Sequence, residues 1–149
     1  MTEVAFYHLT RKPLERAMPE LLEKVVERGL RAVVLAGSEE RVHTLNDHLW
    51  VWDKGSFLPH GAAGDGDPAD HPVWLTQDEE NPNGATVLML IDGRDAASKG
   101  DYDRCLDMFD GRDETAVQAA RDRFRAARDA GHEVTYWKQN DRGGWERGA

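Results

Sequence analysis

The sequence has a single cysteine, Cys105, and no long apolar run. One cysteine excludes an internal disulfide and a thiolate-rich zinc site, and it fits a reducing compartment. No segment approaches the roughly 18 apolar residues that a membrane span requires, and the first residues lack the basic flank and apolar stretch of a signal peptide. These absences predict a cytoplasmic protein that does not enter a membrane, with Cys105 as a core residue.

Motifs for metal binding, nucleotide binding and catalysis are also missing. The six histidines form no HExxH or similar ligand set, so we interpret them as surface residues. Gly61, Gly64 and Gly66 do not follow the order of a nucleotide-binding loop, and the aspartates near them would repel phosphate. There is no nucleophile elbow. We therefore expect no metal, no cofactor and no catalysis, with a small α/β enzyme as an alternative because a fold does not decide a function.

Positive charge is scarce relative to negative charge. The chain has 28 acidic and 19 basic residues, which gives a formal net charge of −9. The field of the whole molecule opposes polyanions, so direct nucleic-acid binding is not expected. A local basic patch can still bind an acidic peptide, since the nearest charges dominate within about a Debye length.

Strands and helices alternate along the 149 residues. Buried strands are predicted at residues 4–9, 31–36, 73–76, 85–91 and 133–138. Helices are predicted from Pro13 to Gly29, from Ser38 to Trp50 and from Asp113 to Ala130. This order predicts one α/β domain with a largely parallel sheet that is covered on both faces.

Three segments lack a strong pattern. Residues 51–72 are rich in glycine, aspartate and proline and are predicted to be a long surface loop. A short helix is predicted within residues 101–110. Residues 139–149 are polar and predicted to be loose, although Trp145 indicates some docking. We therefore expect a domain at residues 1–138 and a polar tail at residues 139–149.

The last helix carries the most informative pattern. Arg121, Arg125 and Arg128 fall at positions i, i+4 and i+7 and share one face. Val117 and Phe124 lie between these arginines and a face of small residues that is expected to pack on the sheet. That face consists of Ala116, Ala119, Ala120 and Ala127.

Such an apolar notch edged by arginines suits an acidic peptide that ends in an aromatic residue. Guanidinium groups pair with carboxylates, and the notch can take a hydrophobic side chain. The alternative is a solvated helix face on which the arginines pair with Asp122 and Asp129. The pattern alone favours this plainer interpretation.

Aromatic residues are concentrated in a second segment, residues 45–60. Trp50, Trp52, Phe57 and Pro59 lie at a helix end and after it, where aromatic side chains often anchor interfaces. The alternative is that at least two of them fold back over the core.

Four stretches carry a resemblance to a known family: AFYHL at 5–9, LNDHLWVWDKGSFLPHG at 45–61, AARDRFRAARDAG at 119–131 and TYW at 135–137. Together they resemble the chi subunit of bacterial DNA polymerase III, an accessory protein of the clamp-loader assembly. The resemblance implies a single three-layer Rossmann-like domain without catalytic activity. It also implies two partners, the acidic C-terminal tail of single-stranded DNA-binding protein and the psi subunit or another clamp-loader or polymerase component.

The resemblance assigns roles to particular residues. Arg121 and Phe124 match the arginine and the aromatic residue of the family's tail-binding pocket, and Arg125 and Arg128 match further basic positions. Val117 stands where some relatives have lysine, and Phe124 where others have tyrosine.

A separate partner surface is expected around Trp50 and Phe57, together with Pro59 and His60. The remaining alternative function is direct binding of single-stranded DNA, with Arg121, Phe124, Arg125 and the tryptophans as a stacking groove.

Overall fold

A computed structural model describes residues 2–53, 55, 58–142 and 144–148. The described residues form an eight-stranded sheet and three α-helices. The strands are β1 (Glu3–Leu9), β2 (Ala32–Leu35), β3 (His60–Ala62), β4 (Val73–Thr76), β5 (Val87–Leu90), β6 (Arg104–Asp110), β7 (Glu133–Gln139) and β8 (Trp145–Arg147). The helices are α1 (Leu14–Glu27), α2 (Glu39–Val51) and α3 (Glu114–Asp129).

The strand order across the sheet is β3-β4-β2-β5-β6-β1-β7-β8. Every neighbouring pair is parallel except β7 and β8, which are antiparallel. The predicted mostly parallel sheet is confirmed. No helix in the described part of the chain is both long enough and apolar enough to cross a bilayer.

Two cores lie on opposite faces of the sheet. Successive strand residues point to opposite faces, so Tyr7 and Leu9 of β1 join one core whereas Val4 and Phe6 join the other. Helices α1 and α2 cover the first face, which we call the α1 face. Helix α3 covers the second, the α3 face. The three-layer α/β architecture is therefore confirmed.

The predicted helix boundaries are close to the observed ones. Ser38 caps α2, because its hydroxyl accepts a hydrogen bond from the Arg41 amide at 3.1 Å. Asp113 caps α3 through its carboxylate, which accepts from the Thr115 amide at 2.9 Å. Gly131, with φ of 88°, follows the end of α3 in the left-handed region that favours glycine.

The short helix predicted within residues 101–110 is wrong, because β6 occupies Arg104–Asp110. This strand lies between β5 and β1 and is covered on both faces. A strand in that position shows no polar and apolar alternation. Its apolar run is also interrupted by Asp107, a buried residue paired with Arg123.

Two other segments are more ordered than expected. The predicted loop at residues 51–72 contains β3, a buried strand that pairs with β4. The predicted loose tail contains β8, which pairs with β7, and the Trp145 ring lies 4.9 Å from that of Tyr7. Both strands are three residues long, too short for a periodic pattern. The division of the chain after residue 138 stays a prediction.

Candidate functional site

A cavity of about 370 Å³ opens between α3 and the sheet, and we call it the α3-face hollow. The structure brings together at this cavity all five residues that were predicted to bind an acidic peptide. They are Val117, Arg121, Phe124, Arg125 and Arg128. All five come from α3, and Val117 and Phe124 also pack on the core beneath the helix.

The floor of the α3-face hollow comes from the strands, and sequence reasoning missed it. Phe6 of β1, Phe109 of β6 and Tyr136 of β7 line the cavity. The ring centroids of Phe6 and Phe124 are 5.3 Å apart, and those of Phe109 and Tyr136 are 6.3 Å apart. Alternation along two predicted strands was the available signal, since it puts alternate residues of AFYHL and TYW on one sheet face.

The three arginines differ in their partners. Arg125 Nη1 lies 3.1 Å from Asp122 Oδ1, and Arg128 Nε lies 3.5 Å from Asp129 Oδ1. Both pairs are exposed, so they contribute little and are readily exchanged for other partners. Arg121 forms no ion pair with any described residue. The plainer interpretation of a self-paired helix face therefore holds for two arginines and fails for Arg121.

Arg121 also affects groups at the edge of the hollow. Burial raises the pKa of Tyr136, and the positive charge of Arg121 opposes that rise. Burial, followed by the charges of Lys138 and Arg121, lowers the pKa of His8. The Nδ1 atom of His8 is hydrogen-bonded to the Tyr136 hydroxyl. The rim is thus electropositive, although the whole molecule is acidic.

A buried ion pair holds α3 in place. Arg123 donates from Nε to Asp107 Oδ2 at 2.7 Å and from Nη2 to Asp107 Oδ1 at 3.0 Å. Burial raises the pKa of Asp107, and the guanidinium opposes this effect. The pair anchors α3 to β6 and so helps to fix the rotation of the helix about its axis. The hollow is bordered by a different face of α3, which carries Arg121 and Phe124.

Only part of the predicted alanine face of α3 is buried against the sheet. Ala120 and Ala127 are buried as expected. Ala116 is only half-buried and Ala119 is exposed. Arg123 is the buried residue between Ala120 and Ala127, a position that amphipathicity alone would assign to an apolar side chain.

The predicted partner surface lies at the end of α2. Trp50 is 55% exposed and Val51 is 75% exposed. Trp50, Pro59 and His60 border one hollow of about 360 Å³, with the Trp50 and His60 ring centroids 4.3 Å apart. The structure therefore brings three of the four predicted residues together. Phe57, the fourth, lies outside the described residues.

The prediction that the histidines are surface residues is wrong for His60, which is buried. It is 2% exposed, with ring nitrogens 2.7 Å from the Leu58 carbonyl oxygen and 2.9 Å from that of Asn46. These contacts fix the ring beneath Trp50, while Trp52 packs partly against the core. Across the described ranges, no group of three or more potential metal ligands occurs.

A further cavity, of about 510 Å³, lies at the carboxyl ends of the central strands. Enzymes with parallel sheets often bind ligands at this edge. Here Arg41 lies between Glu15 at 3.1 Å and Asp92 at 3.2 Å, and Arg112 pairs with Asp110 at 3.3 Å. These charges are neutralised within the chain itself.

Cys105 is buried, as predicted for a core residue, and burial raises its pKa to about 12.

The fold and the site together define a three-layer α/β domain with a basic, aromatic hollow on one sheet face. Residues 1–135 match the model of the family described as DNA polymerase III chi subunit, HolC. The chain belongs to this family. The resemblance expected from the sequence motifs is confirmed.

Two relatives illustrate the range of similarity. The chain is 32% identical over 97 residues to a probable DNA polymerase III subunit chi from Rickettsia prowazekii (strain Madrid E). The matched residues make up 65% of this chain and 59% of that protein. The chain is 25% identical over 130 residues to DNA polymerase III subunit chi from Escherichia coli (strain K12), which covers 84% of this chain and 86% of that protein. The match therefore spans less than two thirds of the Rickettsia protein.

Proposed function

We propose that this protein is a non-catalytic adaptor of the DNA polymerase III assembly that binds the acidic C-terminal tail of single-stranded DNA-binding protein in the α3-face hollow. One observation carries the proposal. Six residues of α3, among them the five predicted binding residues, and three aromatic residues from the strands border the same cavity. Membership of the chi family supports the link to the replisome.

The hollow suits both the acidic groups and the terminal apolar side chain of such a tail. Arg121, which has no ion pair among the described residues, attracts a carboxylate and can bind it through two parallel hydrogen bonds. Phe124 and the aromatic floor take the terminal apolar side chain. Arg125 and Arg128 exchange exposed intramolecular pairs for carboxylates of the tail. Contacts of this kind are weak one at a time, and several tails on one partner raise their effective concentration.

The surface around Trp50 supplies the second contact of the adaptor. An exposed tryptophan at a helix end is a suitable interface anchor, because it offers a large area and loses little entropy on binding. Pro59 and His60 line the hollow beside this tryptophan. We assign this surface to the psi subunit or to another component of the clamp loader or polymerase.

A fluorescent peptide that copies the tail of the host's single-stranded DNA-binding protein tests the proposal. We expect saturable binding, and we expect Arg121→Ala to weaken it by about tenfold, the cost of a charge-assisted hydrogen bond. Phe124→Ala should weaken it as well. Arg16→Ala is the matched control, because Arg16 is an exposed arginine on α1, across the sheet from the hollow.

Circular dichroism must show that each variant is folded. Folded wild-type protein that does not bind the peptide would overturn the proposal. Equal losses in Arg121→Ala and Arg16→Ala would also contradict it, since a general charge effect would then explain the binding. An oligothymidine that binds at moderate salt without the partner would favour the single-stranded DNA binder.

A further inference from the structure

The strands that floor the α3-face hollow also form a second aromatic surface on the other side of the sheet. In the register of β1 and β7, Phe6 lies beside Tyr136 and Tyr7 lies beside Trp137. Phe6 and Tyr136 belong to the α3 face, whereas Tyr7 and Trp137 belong to the α1 face. Trp145 of β8 adds a third ring to the α1 face, in an edge-on contact with Tyr7.

These three rings border a separate cavity of about 230 Å³ between α1 and the sheet, which we call the α1-face hollow. Three cations stand at its edge: Lys24, Arg28 and Arg104. None of the residues that line it is acidic, although the chain has a net charge of −9. The hollow is therefore a local positive site on a negative molecule.

The edge cations are poorly neutralised by the chain. Lys24 and Arg28 are exposed, lie one helical turn apart, and form no ion pair with a described residue. Arg104 reaches Glu3 only at 3.5 Å, and its Nε atom is buried without a hydrogen-bond partner. Cations near a helix C-terminus are favoured by the helix dipole. That effect accounts for Lys24 in the last turn of α1 and for Arg28 directly after it, but not for Arg104, which begins β6.

The shape of this hollow favours a peptide over a nucleic acid. Single-stranded DNA needs ring faces on which successive bases can stack. Here Tyr7 is buried with Trp145 packed against it at an interplanar angle of 77°, so these rings form walls around a space. Apart from the three edge cations, the rest of the lining is aliphatic, from α1, β5, β6 and Leu30 before β2. Such a space takes one bulky apolar side chain, and the net charge of the molecule opposes a long polyanion.

We propose that the α1-face hollow is a second docking site, which takes an acidic peptide segment through one bulky apolar side chain. The apolar side chain enters between Trp137, Trp145 and α1. Carboxylates on either side of it lie against Lys24, Arg28 and Arg104. The site is on the opposite face of the sheet from the α3-face hollow, so an acidic segment can dock on each face at the same time.

The test is a titration followed through the assigned indole N–H signals of Trp137 and Trp145 in the NMR spectrum of the full chain. The probe is an amidated acidic pentapeptide with a central leucine, which lacks the terminal carboxylate and aromatic ring proposed for the α3-face hollow. We expect both signals to shift in a saturable manner. Replacing the leucine by serine should weaken binding by about tenfold, because the burial of an apolar side chain is lost.

Variants separate this site from the other one. The double variant Lys24→Gln, Arg28→Gln should bind the leucine peptide about fivefold more weakly, as expected for two partly exposed charge pairs. Arg16→Gln, on the same helix but not at the hollow, should bind it as the wild type does. Arg121→Ala should leave the shifts unchanged, so failure of the proposed tail site and failure of this site give different results.

Three results would overturn the proposal. The first is no shift of either indole signal at millimolar peptide in folded protein. The second is equal shifts with the leucine and serine peptides, which would show that no apolar side chain enters. The third is a shift of these signals with oligothymidine and none with the peptide, which would assign the hollow to single-stranded nucleic acid.

Discussion

Arg123 and Asp107 show how one buried ion pair positions helix α3. Their side chains are 9% and 2% exposed, so neither charge can be compensated by water if the other is removed. We expect Arg123→Ala to lower the free energy of unfolding by about 3–5 kcal/mol, the usual cost of leaving a buried charge unpaired. Urea denaturation monitored by circular dichroism measures this.

Arg125→Ala is the control for that prediction. Arg125 belongs to the same helix and pairs with Asp122 at 3.1 Å, but both side chains are more than half exposed. Its loss should cost less than about 1 kcal/mol. Similar costs for the two variants would contradict a positioning role for the buried pair.

His8 makes stability depend on pH. Its pKa lies below the ordinary value of 6.5, mainly because of burial, so the folded state resists its protonation. As pH falls through 6.5 the unfolded chain binds this proton first, and the stability that the neutral ring supplies above that pH is lost. Between about pH 7.5 and about pH 5.5, wild-type protein should lose more free energy of unfolding than His8→Gln.

Denaturant titrations at both pH values, for both proteins, give this difference. The variant retains the other five histidines and so corrects for them. Parallel losses in the two proteins would show that His8 titrates alike in the folded and unfolded states.

Secondary-structure elements were predictable from the sequence where their pattern was long. Helices α1, α2 and α3 have 14, 13 and 16 residues, with caps or breakers near their ends. β3 and β8 have three residues each, and backbone pairing with a neighbouring strand defines them. The strand β6 was not predicted for another reason. Its apolar run contains Asp107, and the partner that allows this carboxylate to be buried lies 16 positions away in the sequence.

The candidate site divides in the same way. The spacing on α3 predicts that Arg121, Arg125 and Arg128 share a face, since that is a local property of a helix. The aromatic floor depends on which strands are neighbours. Phe6 and Tyr136 are neighbours because β1 pairs with β7, a strand that is distant from it in the sequence. No local sequence pattern shows which strands are paired.

β8 allows a direct test at the level of an element. Trp145 packs on Tyr7 and on the core of the α1 face, so it should contribute to stability although it lies near the end of the sequence. We expect Trp145→Ala to lower the free energy of unfolding by about 2 kcal/mol, less than for a fully buried tryptophan because this one is half-buried.

Thermal or urea unfolding of the full chain measures this effect. Glu146→Ala, an exposed substitution in the same strand, is the control and should change stability little. An unchanged stability in Trp145→Ala would support the loose tail that the sequence suggested.

Charge acts at the scale of the whole molecule. An acidic tail approaching this protein meets a net charge of −9 at long range and the arginines of α3 at short range. We expect the affinity for the tail peptide to fall between about 0.05 M and about 0.5 M salt, because screening weakens the short-range pairs that hold the complex together.

The salt dependence should be flatter in Arg121→Ala, which lacks one of those pairs. Fluorescence titrations of both proteins at each salt concentration give the two slopes. An affinity that rises with salt would mean that long-range repulsion by the acidic surface outweighs the attraction by the arginines.

The central position of β1 has a consequence for how the chain is made. This strand is synthesised before the other described strands, yet its two neighbours in the sheet are β6 and β7, which begin at Arg104 and Glu133. A nascent chain that ends before Glu133 therefore keeps one edge of β1 unpaired, with Phe6 and Tyr7 not yet enclosed by the final sheet. Pairing between distant segments is slow to form, and such open edges invite aggregation. During synthesis, the aromatic strand that later borders both hollows therefore stays partly unpaired until β7 has been made.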